Sequence, residues 1–148
     1  MDQHLDQADE HRGADLLAVV PLVDAHELIN RAIAIVYDKK GEHVRVLNVA
    51  DNLSITDYFV LVSAKNRRQA QAICSAIDIE MKGLGVPKAR IEGAQAAWWA
   101  LLDFDQVVIH VFQEQAREYY DLDQLWADAA DLTEQFAPDT SGSDVAPA

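Results

Sequence analysis

The stretch that most constrains the fold is 57–84, where the apolar run YFVLV passes through Ser63-Ala64-Lys65-Asn66 straight into a long amphipathic helix. Consecutive apolar residues without alternation fit a central strand covered on both faces. Asn66 and Gln69 form a helix-capping signature, and Ala70, Ile73, Cys74, Ile77, Met81 and Leu84 then recur at helical spacing as far as Gly83 and Gly85. A buried strand, a helix and a further strand imply a right-handed crossover and a parallel neighbour.

The flanking segments extend this unit. Asp24 and Glu27 make a capping box, followed by one helical face of Ala25, Leu28, Ile29, Ala32, Ile33 and Val36. Lys39 and Lys40 suit the negative end of that helix, and Gly41 is a natural stop. Val44–Val49 reads as a strand, and 51–56 as a turn-rich link. Three short strands are expected at Ala89–Glu92, Ala97–Asp103 and Val107–Phe112, the last two forming a hairpin around Phe104–Gln106. A final helix over about Gln115–Ala130 would carry Tyr119, Leu122, Leu125, Trp126 and Ala129 on one side. The order α-β-β-α-β-β-β-α predicts an α/β domain with one mixed parallel and antiparallel sheet of about five strands and flanking helices. Residues 1–23 read as an acidic unstructured segment, 24–131 as the domain, and 132–148 as an unstructured tail. No internal repeat occurs.

Charge and cysteine content bound the function. The net charge is -13, with six acids against one Arg in residues 1–24, and eight acids against Arg117 alone in 103–131. Overall acidity disfavours direct nucleic-acid binding, because phosphate backbones attract Lys and Arg clusters. Such charge ordinarily forms a solvated face, and a basic protein partner would also fit it. Cys74 is the single cysteine, so no intrachain disulfide forms, and its place in an apolar stripe predicts an inert core thiol. The apolar segment Leu16–Val23 is too short to span a bilayer and contains Pro21. The acidic start resembles neither a secretory signal nor a transit peptide, so the expected location is cytoplasmic.

Few residues suggest catalysis. Asp103 and Asp105 flank Phe104, and at alternate strand positions their carboxylates would face one side, as in metal-dependent nucleotidyl transfer. That chemistry also needs a glycine-containing phosphate turn, and Ser63–Asn66 has no glycine. Acids beside a tight turn are common without metal. His110 falls on the same face as Val108 and Phe112, with no second His or Cys at zinc spacing. No phosphate-binding loop or nucleophile elbow is present, so no cofactor is expected. Trp98 and Trp99, if on a strand, face opposite ways: one fills the core and the other serves as sheet cover or interface anchor. Of the two tyrosines, Tyr119 shares the Leu122/Trp126 face, leaving Tyr120 more exposed.

Several linked motifs carry a resemblance. They are SITDYFVLVSA at Ser54–Ala64, NRRQAQAI opening the second helix, and Glu92-Gly93. Trp99, LLDF at Leu101–Phe104, VVIHVF at Val107–Phe112 and REYYDLDQLW at Arg117–Trp126 follow. Over roughly 25–130 the chain resembles the ribosomal silencing factor family, also called the Iojap-like family. The resemblance implies a mixed α/β fold related to nucleotidyltransferases without their catalytic set. It also implies a non-enzymatic translational repressor docked on the large ribosomal subunit, through the protein numbered fourteen, where it blocks joining of the small subunit under nutrient limitation. Homodimers are implied in isolation. Carried onto this sequence, the partner-binding residues are expected to be Trp99 as anchor, Asp103 and Asp105 facing basic side chains, and Glu92, Tyr120 and His110 nearby. Asp105-Gln106 stands where the family usually has Gly-Asp. The turn therefore either dispenses with positive φ or uses an Asp that tolerates it.

Overall fold

A computed structural model describes residues 23–136; the expectations for 1–22 and 137–148 lie outside the described residues. Helix α1 (Ala25–Asp38) starts at Asp24, whose side chain accepts the Glu27 amide at 2.9 Å. It stops in a reverse turn in which Gly41 N–H donates to the Val36 carbonyl and Lys40 N–H to that of Tyr37. The left-handed position is held by Lys40 (φ 70), not by the glycine predicted as the stop. Gly41 is instead needed for space, since a Cβ there would lie 2.6 Å from Val36 Cγ1.

Strands β1 (Glu42–Asn48) and β2 (Tyr58–Ala64) follow, and six of the seven β2 residues are buried. Helix α2 (Arg67–Gly83) is capped by Asn66, which accepts the Gln69 amide at 2.8 Å. Strands β3 (Arg90–Glu92), β4 (Trp99–Asp103) and β5 (Val107–Gln113) complete the predicted set. With a short sixth strand, β6 (Ala130–Asp131), one mixed sheet results, in the order β3-β4-β5-β2-β1-β6. Its only parallel pair among the described residues is β2 with β5, Tyr58 opposite Val107 through Ala64 opposite Gln113. The parallel neighbour is thus two strands later than the one that follows the crossover helix.

The C-terminal segment departs from expectation. The long helix predicted over Gln115–Ala130 is broken into α3 (Glu114–Tyr120) and α4 (Leu122–Leu125) because Asp121 takes a left-handed conformation (φ 48). Helical phase is lost there, so Tyr119 does not share a face with Leu122 and Trp126; it is 77% exposed. The sixth strand, β6, pairs with β1 at the sheet edge. The unstructured tail expected from 132 fails over its first residues: α5 (Thr133–Phe136) is helical and Phe136 is buried. Thr133 Oγ1 accepts the Val46 amide at 3.0 Å, which fixes that crossing.

Two apolar clusters sandwich the sheet. Ile29, Ile33 and Val36 of α1 and Ile73, Ile77 and Met81 of α2 pack on Val46, Val60, Val62, Ile109 and Val111. On the other face Ala116 and Leu122, with Ala129, cover Leu47, Phe59, Leu61 and Phe112. Cys74 is buried in the first cluster, and burial pushes its thiol up to about 12, as an inert core residue requires.

Candidate partner-binding face

The second apolar layer stops short of the β3–β4 edge. Trp99 lies opposite Phe112, Leu101 opposite His110 and Asp103 opposite Val108, while Glu92 and Arg90 of β3 lie opposite Leu101 and Asp103. Directly opposed residues share a face. That face therefore presents a strip of Trp99, Leu101 and Val108, all half-buried, bordered by exposed Glu92 and Arg90. The predicted residues Glu92, Trp99, Asp103 and His110 come together here.

Trp99 is held on three sides. Its ring stacks on Phe112 at 5.2 Å and meets Tyr120 at 4.8 Å. Its Nε1–H donates to His110 Nδ1 at 3.1 Å, so the His110 proton resides on Nε2. Nε2 is buried and has no partner among the described residues. Desolvation lowers the His110 pKa to about 3, which keeps the imidazole neutral. His110, expected near this surface, lies beneath it as an acceptor for the indole.

The loop before β4 sets where Trp99 sits. Gly93 has φ +75, and a Cβ on it would lie 2.5 Å from the Trp99 carbonyl oxygen. Ala97 adopts φ 52, which starts the predicted Ala97–Asp103 strand two residues late and leaves Trp98 outside it, 40% exposed. The Gln113 side chain donates to the Ala97 carbonyl and its amide to that of Trp98, both at 3.0 Å. Leu101, Val108, Gly93 and Gln113 were not selected from sequence. Leu101 follows from the two-residue alternation through Trp99 and Asp103, and Val108 from that through His110 and Phe112; Gly93 and Gln113 depend on contacts distant in the chain.

The two aspartates do not hold the alternate strand positions considered above. Asp103 ends β4, and Asp105 occupies the turn with φ 76. Asp103 Oδ1 accepts the Asp105 amide at 2.8 Å and Oδ2 accepts Arg90 Nη2 at 2.7 Å, so both oxygens are engaged. Partial burial opposes the Asp103 charge, but the Arg90 hydrogen bond, the Asp105 amide and the Arg90 charge outweigh it and hold the carboxyl below its usual range. Among the described residues no three His, Cys, Asp or Glu side chains gather as a metal site.

A family model described as "Ribosomal silencing factor during starvation" matches residues 23–147. The chain belongs to the ribosomal silencing factor family. It is similar to the ribosomal silencing factor RsfS of Halalkalibacterium halodurans, with 38% identity over 103 residues, covering 70% of this chain and 88% of that one. The Bacillus subtilis protein of the same name is 35% identical over 107 residues, covering 71% and 91%. A crystal structure of a Chromobacterium violaceum protein superposes with a TM-score of 0.68 at 28% identity, covering 71% of this chain and 88% of that one. In this family member no helix of the described residues is long and apolar enough to cross a membrane.

Proposed function

We propose that this chain represses translation without catalysis, by binding the large ribosomal subunit through the open β3–β4 face and excluding the small subunit. The observation that carries this reading is the uncovered strip of Trp99, Leu101 and Val108, flanked by Glu92 and the Asp103–Arg90 pair. A half-buried aromatic fixed by three neighbours is preorganised, so little side-chain entropy is lost on docking. Carboxylates at the rim favour a basic protein surface, and the large-subunit protein numbered fourteen is the partner we assign. Trp99 is the anchor, Tyr120 its lateral support and His110 its hydrogen-bond acceptor. Asp105 lies on the turn beside Asp103, where its side chain adds to the acidic rim. A similar mouse protein is named for mitochondrial assembly of the ribosomal large subunit, which agrees with a large-subunit partner. Without ribosomes the same apolar strip favours a homodimer. The repressor acts in the cytoplasm, where the subunits meet.

Sedimentation with purified large subunits tests the reading directly. The chain should co-sediment, and small subunits added afterwards should fail to join. Trp99→Ala should remain folded and lose about 2 kcal/mol or more of binding free energy. Full co-sedimentation by the folded variant would remove Trp99 from the interface, and undisturbed joining would overturn the repression mechanism.

A further inference from the structure

The whole chain is strongly acidic, yet its cations are not evenly spread. Lys39 and Lys40 at the end of α1 and Lys65, Arg67 and Arg68 at the start of α2 are all exposed, and they are five of the 12 Lys and Arg residues in the chain. The two helix ends are tied together, because the Gln69 side chain donates to the Lys39 carbonyl at 2.9 Å and accepts the Lys65 amide at 2.6 Å. Only Asp38 and Glu42 oppose these charges in the same segments. Lys65 approaches Glu42 at 3.8 Å, and the other four make no ion pair among the described residues. Lys40 and Lys65 line a cleft of about 540 Å³ together with Tyr37, Gly41, Glu42 and His43. Tyr37 presents an exposed ring beside it.

The negative end of α1 favours Lys39 and Lys40, but local stability does not account for the rest of this arrangement. Lys40 holds a left-handed turn position where glycine would cost less. Arg67 and Arg68 sit in the first turn of α2, which contains no acid, although the positive end of a helix favours acids. We propose that this corner contacts the phosphate backbone of RNA. A cleft lined by Lys40 and Lys65 with an aromatic and a histidine, and with Lys39, Arg67 and Arg68 in the adjoining segments, suits a ribose-phosphate chain better than a flat membrane surface. The choice of RNA as the polyanion rests on the ribosome-binding reading above. Glu42 pairs with Ser63, Ser63 with Phe112 and Phe112 with Trp99, so the corner lies three strand spacings, about 14 Å, from the Trp99 anchor. A factor seated on a ribosomal protein through Trp99 would bring this corner to the RNA around it.

The test compares the full chain, the variant Lys40→Gln/Lys65→Gln/Arg67→Gln/Arg68→Gln, and Trp99→Ala. The measured quantity is Kd for purified large subunits between about 50 and about 200 mM salt, since released counterions set the slope of log affinity against log salt. The neutralised side chains are exposed, so the melting temperature should be unchanged. The quadruple variant should bind at least tenfold more weakly at the lowest salt, with a slope reduced by about 3. Trp99→Ala should weaken binding while leaving the slope intact; if it binds normally, the apolar-anchor reading fails without touching this one. A folded quadruple variant with unchanged Kd and slope would overturn the RNA contact. So would a wild-type chain that binds phosphatidylserine vesicles but not a labelled RNA hairpin.

Discussion

His110 and Asp105 both hold unusual states for which neighbouring atoms supply the reason. The His110 imidazole is neutral because burial lowers its pKa from 6.5 to about 3. In the unfolded chain it gains a proton as pH falls below its ordinary value, and in the fold it does not. Stability is therefore full above about pH 6.5 and falls as pH drops toward about 3, by up to about 1.4 kcal/mol per unit. His110→Asn keeps an acceptor near the Trp99 indole but does not titrate. Its urea midpoint should decline less steeply from about pH 6 to about pH 4, and an equally steep decline would show that other groups dominate. Asp105 takes φ 76, and the Gln106 amide donates back to Phe104 at 3.0 Å, closing a three-residue turn. Aspartate tolerates this region at a cost that glycine avoids. Asp105→Gly should stabilise the domain by about 1 kcal/mol, read as a higher melting temperature; a lower one would mean that the Asp105 side chain contributes more than the strain costs.

At the scale of elements, the 93–98 loop controls the candidate face. A methyl group on Gly93 would press on the Trp99 carbonyl, and the φ of +75 penalises any side chain. Gly93→Ala should therefore cost about 2 kcal/mol and weaken large-subunit binding beyond that of a comparably destabilised core variant such as Ile77→Ala. Equal binding by the two would place Trp99 outside the loop's control. These elements also mark where sequence was legible. The caps at Asp24 and Asn66 are local hydrogen bonds between near neighbours, so α1 and α2 are readable to within a residue or two. The β4–β5 hairpin is equally readable, and residue alternation places Trp99 and Asp103 together on it. The break at Asp121 was hidden because its αL conformation belongs to a junction whose contacts come from distant β1 and β2. Two-residue β6 has no periodicity to detect, and positive φ at Ala97 carries no compositional mark. Sequence spacing allows the two aspartates to share a strand face, whereas the engagement of both Asp103 oxygens by its own turn and by Arg90 depends on the folded hairpin.

Over the whole molecule, one charge network fastens the C-terminal segment to the sheet. Arg117 is buried, and its Nε and Nη2 donate to the two oxygens of Asp123, each at 3.0 Å. Its Nη1 donates to Ser63 Oγ at 3.0 Å and to the His43 carbonyl. Arg45 extends the chain of contacts to Asp123 at 3.2 Å and Asp131 at 2.9 Å. Burial opposes the Asp123 charge, but the Arg117 hydrogen bonds and the charges of both arginines hold its carboxyl below the usual range. A depressed carboxylate contributes stability above its unfolded pKa and loses it as pH falls through the folded value. Asp123→Asn leaves a buried guanidinium uncompensated and should cost about 3 kcal/mol near neutral pH. The gap from wild type should narrow on acidification below the ordinary carboxylate range, and a gap independent of pH would mean that packing, not charge, holds the segment.

The pairing of β2 with β5 also governs when this protein can fold. β2 is covered on both faces, and its parallel neighbour arrives only after α2, β3 and β4 have been made. A nascent chain can pair one edge of this largely apolar strand with β1 at once, but its other edge stays open through much of its own synthesis, because non-local pairing yields nothing until the distant partner emerges. Its central strand becomes safe from aggregation only when the last third of the domain is available. A factor assigned to act on finished ribosomal subunits thus depends on nearly complete passage through a ribosome before it can act on another.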